Sequence, residues 1–525
     1  MTDKSQEESH LKTNTDDTTF FLPRIARLLE STNEPVAGNN YVGRYKLPVS
    51  MHDRLLDQLK KRIFELVGQN TADSSVVLAT PSYPIPPGWR KITEYLHRAG
   101  ILQHPRFTFD RIFNDEPKIY ALRLWAAPSP TDGGTMISNG GYSRGVSHDF
   151  EEAMSKVIGE VLERYPQTLY RNKDLIRASV ASMRKKKAVF LDPFIADHWS
   201  PWQKKRFPSR NFDENSIFSF VKGKSLMRKG NAYIPAQMAY LNYRFAENEP
   251  MLRHPNSNGA GGMFSYEEAI LSGLYELIQR DAFLTKWLAG ITPRRIDLST
   301  LKNPDTQRLL KDFARYHLDV HVVETTSDLD VPAFVAVVID NSGVGPAVTL
   351  GGGCGFDQEK AILRALTESI GVRNWLRLRR KDHPGDLLPS VKGREAFTED
   401  WGSNKRLLLW YGTENINEIN FFLGGVHTPI DYSKDRLFKM PDEELAYLID
   451  LFRSRGDEYE IFVYEAQHEA LNVLGYHSVK VCVPALLPLY LMETYAPLGS
   501  KRLADAQKEA GKEGIPATPY PHPFP

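Results

Sequence analysis

Cysteine is nearly missing: two thiols, Cys354 and Cys482, serve 525 residues. So few exclude a disulfide framework and a paired Cys-x-x-Cys zinc cluster, and they fit a reducing compartment. Net charge is missing too. Lys and Arg total 66 against 65 Asp and Glu, a formal charge of +1. No global attraction to nucleic acid or to an anionic membrane is therefore expected, and any anion site must be local. No uninterrupted apolar run reaches the roughly 18 to 20 residues that span a bilayer. The polar start, "MTDKSQEESHLKTNTDD", has no signal-peptide core. Neither of two common nucleotide-binding loops is written here, since there is no Gly-x4-Gly-Lys-Ser/Thr and no Gly-x-Gly-x-x-Gly opening a strand-helix-strand unit. A soluble cytoplasmic protein is expected.

What is present divides into four stretches. Residues 1–18 have the polarity and charge of a disordered tail. Residues 19–90 carry "MHDRLLDQLKKRIFELVGQ", in which Leu55, Leu59, Ile63 and Val67 mark one helical face, and read as a small, mostly helical N-terminal region ending in the Pro-rich linker "TPSYPIPPGW". Residues 95–500 mix short β-rich bursts, "KAVFLD", "HLDVHVVET", "VPAFVAVVID" and "SVKVCVPAL", with helical periodicity in "AYLIDLFRSR" and elsewhere. The expected class is α+β with mixed sheets. From 501 to 525 the chain turns polar and ends on "IPATPYPHPFP". Alternating prolines remove N–H donors and fix φ, so an extended polyproline II tail is expected, cheap to remove.

One helix is written three times. "EEAMSKVIGEVLERY" from Glu151, "EEAILSGLYELIQRD" from Glu267 and "EKAILRALTESIGVR" from Glu359 all fit one ruler. Counted from the alanine, positions 0, 3 or 4, 7 and 10 or 11 share a helical face. That face holds Ala153, Lys156, Val157, Glu160, Glu163 and Arg164 in the first copy. In the second it holds Ala269, Ser272, Gly273, Glu276, Gln279 and Arg280, and in the third Ala361, Arg364, Ala365 and Glu368, with Gly371 where a second carboxylate or amide would stand. The glutamates fall on the side of the small apolar residues, not opposite them. Half-buried carboxylates must pair with a cation or neutralise. Two readings stay open: internal pairing with Arg164, Arg280 or Arg364, or oxygen ligands from several helices around Mg²⁺ at a phosphate site. Each copy also has a Gly-rich entry, "NGGYSRGVSH", "HPNSNGAGG" and "GGGCGF", whose exposed N–H groups suit a phosphate or ribose.

These segments resemble the YcaO family. "SNGAGGMFSYEEAILSGLYELIQRDAFLTKW", "VSHDFEEAMSKVIGEVLERY" and "AILRALTESIGVR" carry the resemblance, which covers roughly residues 95 to 525. It implies a YcaO-like ATP-binding domain of mixed sheets and repeated carboxylate-bearing helices. By position, Glu160, Glu163, Glu268 and Glu276 become candidate Mg²⁺ ligands, and Arg144, Ser257, Asn258, Arg280, Arg364 and Glu368 candidate ATP contacts. The ending, with Pro521, Pro523 and Pro525, resembles the azoline-forming branch, whose members are cyclodehydratases acting on Cys, Ser or Thr of a ribosomally made precursor peptide on the way to thiazole- and oxazole-modified antibiotics. The Pro525 α-carboxylate is then the candidate base. Precursor peptide, a separate leader-binding partner resembling a ubiquitin-activating enzyme, and a homodimer are the implied partners.

The chain departs from the family pattern at five points. Gln279 stands for a usual Glu, Lys156 for a Ser, Arg144 for a Lys, Gly371 for a frequent Gln and Phe264 for an Asn. The other readings are a thioamide- or amidine-forming relative and a non-catalytic peptide-binding scaffold.

Overall fold

A computed structural model describes residues 85–111, 113–129, 141–383, 395–400, 406–513 and 518–524. The tail expected at 1–18, nearly all of the helical region at 19–90, and Pro525 lie outside the described residues. Helix α1 (Pro87–Arg98) begins with proline, whose missing N–H costs nothing at the first helical position. Strands β1 (Thr108–Phe109), β2 (Tyr120–Trp125) and β3 (Tyr142–Ser147) form an antiparallel sheet, and β3 runs into helix α2 (Phe150–Arg164). Strands β4 (Ile176–Ser179), β5 (Ile217–Ser225) and β6 (Gly230–Pro235) follow, and then β7 (Ala260–Met263) leads into α3 (Tyr266–Leu288). Next come β8 (Arg295–Ile296), α4 (Pro304–Arg315), β9 (Asp319–Glu324) and β10 (Ala333–Ile339). Strand β11 (Val348–Cys354) enters α5 (Gln358–Asp382), and β12 (His427–Thr428), α6 (Pro441–Arg453), β13 (Phe462–Ala466), β14 (His477–Cys482) and α7 (Lys501–Glu509) complete the sequence of larger elements.

The second sheet has the order β11-β10-β9-β8-β12 and is antiparallel except for β8 with β12. The third runs β4-β5-β13-β14-β7, all antiparallel, with β6 beside β5. The class is α+β, as expected.

Strand alternation explains how helices are held on both faces of a sheet. Along β10, Val335, Val337 and Ile339 enter one core with Phe283, Leu284 and Trp287 of α3, whereas Phe334, Ala336 and Val338 enter another with Ile362, Leu366 and Ile370 of α5. On β14, Val479 and Val481 pack against Ile270, Leu274 and Leu277 of α3. Helix α3 is thus covered by two sheets, which is why Gln279, Arg280 and Asp281 are buried along with its apolar residues.

The threefold repeat is a strand-turn-helix unit. A side-chain cap opens each helix: Asp149, Ser265 and Asp357 accept from the amides of Glu152, Glu268 and Lys360 at 2.8, 3.3 and 3.0 Å. In each strand one glycine rides on the first turns of its own helix. A Cβ at Gly145, Gly261 or Gly353 would lie 2.0, 2.0 or 1.8 Å from the carbonyl oxygen of Ala153, Ala269 or Ala361, so no side chain fits. Strand and helix therefore meet backbone to backbone, and the Glu seven residues past each alanine reaches back to the strand.

Two expectations change. "KAVFLD" contributes only an isolated bridge, Phe190 to Tyr233, because this stretch follows a short helix and turns instead of pairing along its length. The C-terminal stretch is neither wholly extended nor peripheral. Lys501–Glu509 is helical, and His522 and Phe524 are 0% exposed.

Candidate active site

The three units place their helices around one cavity of about 1170 Å³. In each unit the glutamate carboxylate accepts an amide N–H from its own strand or entry turn. Glu160 takes Arg144 N at 3.1 Å, Glu276 takes Gly259 N at 2.8 Å and Glu368 takes Gly352 N at 2.6 Å. These bonds fix the carboxylates without neutralising them. Arg164 pairs with Glu160, and Arg280 lies between Glu276 at 3.6 Å and Glu368 at 3.7 Å.

Crowding of acids shows in their proton affinities. Burial pushes the Glu163 carboxyl up to about 7, with Glu276 and Glu160 adding to the rise and Arg164 opposing it. Burial and Glu276 likewise raise Glu368 against the pull of Arg280 and the Gly352 amide. Lys480, on β14, is pulled down to about 8 by burial despite Glu276 and Glu163. Such a site gains from added positive charge. It also holds buried donors and acceptors without hydrogen-bond partners among the described residues: Asn258 Oδ1, Arg280 Nε and Nη1, and Arg164 Nε, the last 4.0 Å from Glu163.

Arg144, Glu160, Glu163, Ser257, Asn258, Glu276, Arg280, Arg364 and Glu368 all line the cavity. Glu268 does not. It is exposed in the first turn of α3, where its amide meets the Ser265 cap and its charge suits the helix N-terminus. The Arg144 guanidinium is committed to structure, donating to Asp110 at 2.7 Å, Gly371 O at 2.8 Å and Asn374 at 2.7 Å. Pro521 and Pro523 are buried behind the wall and do not line the cavity. Their neighbour Phe524 stacks under the Arg280 guanidinium at 4.1 Å.

Three of the departures from the family pattern have local partners. Gln279 turns from the cavity toward Gly352 and Phe524: a Cβ at Gly352 would sit 2.2 Å from its Nε2 and 2.5 Å from the ring. A neutral amide suits that apolar neighbour better than a carboxylate. Lys156 pairs with Glu152 at 2.8 Å. Phe264 stands at the cavity mouth, 69% exposed, its ring edge-on to Tyr476. Sequence reading passed over Arg406 and Lys480. A lysine inside the apolar run "SVKVCV" was the available signal for the second, since buried lysines are rare; Arg406 had none.

The family model described as YcaO cyclodehydratase, ATP- and Mg²⁺-binding, matches residues 144–487, well over half of the chain. The chain belongs to the YcaO family. An uncharacterised protein of Methanothermobacter thermautotrophicus is 32% identical over 158 residues, which are 30% of this chain and 41% of that one. A heterocyclase solved in complex with substrate and cofactor has a TM-score of 0.65 at 20% identity, covering 82% of this chain and 57% of its own. The YcaO protein of Methanopyrus kandleri bound with AMPPCP and Mg²⁺ has a TM-score of 0.51 at 15% identity, covering 76% and 89%. These structural likenesses speak for a shared fold. The chain spans about half the length of the first relatives it matches.

ATP and Mg²⁺ are the cofactors of the YcaO family, and the cavity fits them. Among the described residues no three acidic or imidazole groups form a preformed metal cage. Mg²⁺ does not require one, because it is held by one or two carboxylates, water and substrate phosphates. Glu160, Glu163, Glu276 and Glu368 are among the carboxylates lining the cavity and would hold the metal, and Arg280 and Arg164 nitrogens without hydrogen-bond partners would donate to phosphate oxygens.

Proposed function

We propose that this chain is an ATP- and Mg²⁺-dependent cyclodehydratase that converts Cys, Ser or Thr residues of a ribosomally made precursor peptide to azolines. One observation carries the reading: Glu160, Glu163, Glu276 and Glu368, from three repeated helices, line one cavity with Arg280, and Phe524 of the proline-rich segment stacks on that same arginine. In the reaction, a peptide thiol or hydroxyl adds to the preceding backbone carbonyl. The new oxyanion accepts the γ-phosphoryl group of ATP, releasing ADP, and loss of phosphate together with the amide N–H proton leaves the ring with its C=N bond. Bound Mg²⁺ would neutralise charge on the transferring group. The protein's part is to hold carboxylates and guanidinium groups in fixed positions before the charge develops. The thiol or hydroxyl proton passes to the Pro525 α-carboxylate in this proposal. A separate leader-binding partner resembling a ubiquitin-activating enzyme, a homodimeric state and a cytoplasmic setting belong to the same reading. No helix among the described residues is long and apolar enough to cross a membrane.

Glu160→Gln and Glu276→Gln test it. Each keeps volume and removes one charge, so the protein should fold while ATP turnover with precursor falls by at least about 10- to 100-fold. Intact turnover in both rejects the carboxylate site. Loss of one water per ring in the peptide identifies azoline formation, and exchange of oxygen for sulfur would replace it with thioamide chemistry.

A further inference from the structure

We propose that Tyr520–Phe524 is an intramolecular latch, closed by Arg406, and that its Phe524 ring positions Arg280 for nucleotide. The inference rests on the ATP site proposed above but assigns the segment a task separate from proton transfer.

Proline has no N–H, so a segment alternating Pro with other residues offers its surroundings mainly carbonyl oxygens. Its binding groups must be donors. Three side chains supply them. Trp287 Nε1 donates to Tyr520 O at 3.1 Å, Trp410 Nε1 donates to Pro521 O at 2.9 Å, and Arg406 Nη1 donates to the carbonyls of His522 and Phe524, each at 2.7 Å. Trp and Arg side chains are donor-only groups. The His522 ring completes the fit, accepting from Arg406 at Nδ1 and donating from Nε2 to Tyr490 O at 2.9 Å. Burial and Arg406 hold this imidazole well below its usual range, so it stays neutral.

Arg406 is 1% exposed and forms no ion pair among the described residues. Burial lowers its guanidinium to about 10 despite Glu493. A buried cation is costly unless its hydrogens are used. Here the latch carbonyls take up Nη1, while Nε meets no acceptor among the described residues, and undocking would strip Arg406 of those acceptors. The latch in turn fixes Phe524, whose ring is 4.8 Å from Phe283 and 4.1 Å from the Arg280 guanidinium. Arg280 reaches both Glu276 and Glu368. The chain of contact therefore runs from Arg406 through the segment to a guanidinium between two of the cavity's carboxylates.

Arg406→Met, Phe524→Leu and Phe524→Ala decide the matter in the full-length protein, with thermal melting as the folding check. Affinity for AMPPCP with Mg²⁺ is one readout. Intact mass after carboxypeptidase Y digestion, which trims an undocked segment and stops before Phe524 in a docked one, is the other. The latch predicts trimming past Phe524 in Arg406→Met, and affinity lowered about tenfold or more in that variant and in Phe524→Leu, which keeps apolar volume but removes the ring face. Unchanged affinity in both Phe524 variants overturns the proposal. So does a docked segment in Arg406→Met with weakened affinity, since Arg406 would then act on nucleotide directly. If the parent protein binds no AMPPCP while its segment resists trimming, the ATP reading fails and not the docking.

Discussion

Glu493 measures what it costs this interior to carry charge. Its carboxyl is 4% exposed, and neither oxygen meets a hydrogen-bond donor among the described residues. Burial raises its pKa from 4.5 to about 7, with Arg406 opposing and Asp400 reinforcing the rise. An acid whose folded pKa exceeds its unfolded value takes up a proton on folding between the two. Its contribution is therefore complete below pH 4.5, declines as pH rises through the window from 4.5 to 7, and is gone above it. At 1.36 kcal/mol per pH unit, that elevation is worth about 3 kcal/mol. Glu493→Gln keeps the shape and abolishes the titration. Denaturant unfolding of parent and variant across pH 4 to 8 isolates this one group, because every other titrating residue cancels in the difference. The variant should match the parent near pH 4.5, gain on it steadily to pH 7, and hold a lead of about 3 kcal/mol beyond. A difference independent of pH would refute the reasoning. A gain in the opposite direction would mean that a cation holds the carboxylate charged.

Two further outcomes follow from placement. Arg373 is 1% exposed and donates to Glu116 at 2.6 Å, to Pro346 O at 2.7 Å and to Asp340. Arg373→Met removes the cation that bridges buried Glu116 and Asp340, although Arg377 still reaches Glu116 at 2.8 Å, and should cost about 3–5 kcal/mol, read as a lower denaturant midpoint; an unmoved midpoint would reject it. Glu268→Ala should leave affinity for AMPPCP with Mg²⁺ unchanged and lower stability by only about 0.3–1 kcal/mol, the worth of a first-turn acid. A tenfold loss of affinity would return Glu268 to the ligands.

Helical periodicity made the glutamates legible, and the same ruler shows why Glu268 stands apart. Glu160, Glu276 and Glu368 lie seven residues past an alanine, on its face; Glu268 lies one before it, and only the family resemblance had placed it at the metal. The other half of the repeat was equally present, since each glycine, Gly145, Gly261 and Gly353, stands eight residues before that alanine. A strand-to-helix contact of this kind has no periodicity within either element, so the spacing carries meaning only once the two are folded together. Long-range partners are harder still. Composition correctly denied helix to the last seven residues described, yet a row of bare carbonyls looks the same in solvent as in a core. What buries it is Trp287, Trp410 and Arg406, 233, 111 and 116 residues away. Nothing local in "GSNKR" distinguishes Arg406 from a surface arginine. Its role depends on where three separate stretches of chain meet, and that meeting also brings the proline-rich segment beside Arg280 and the repeated glutamates.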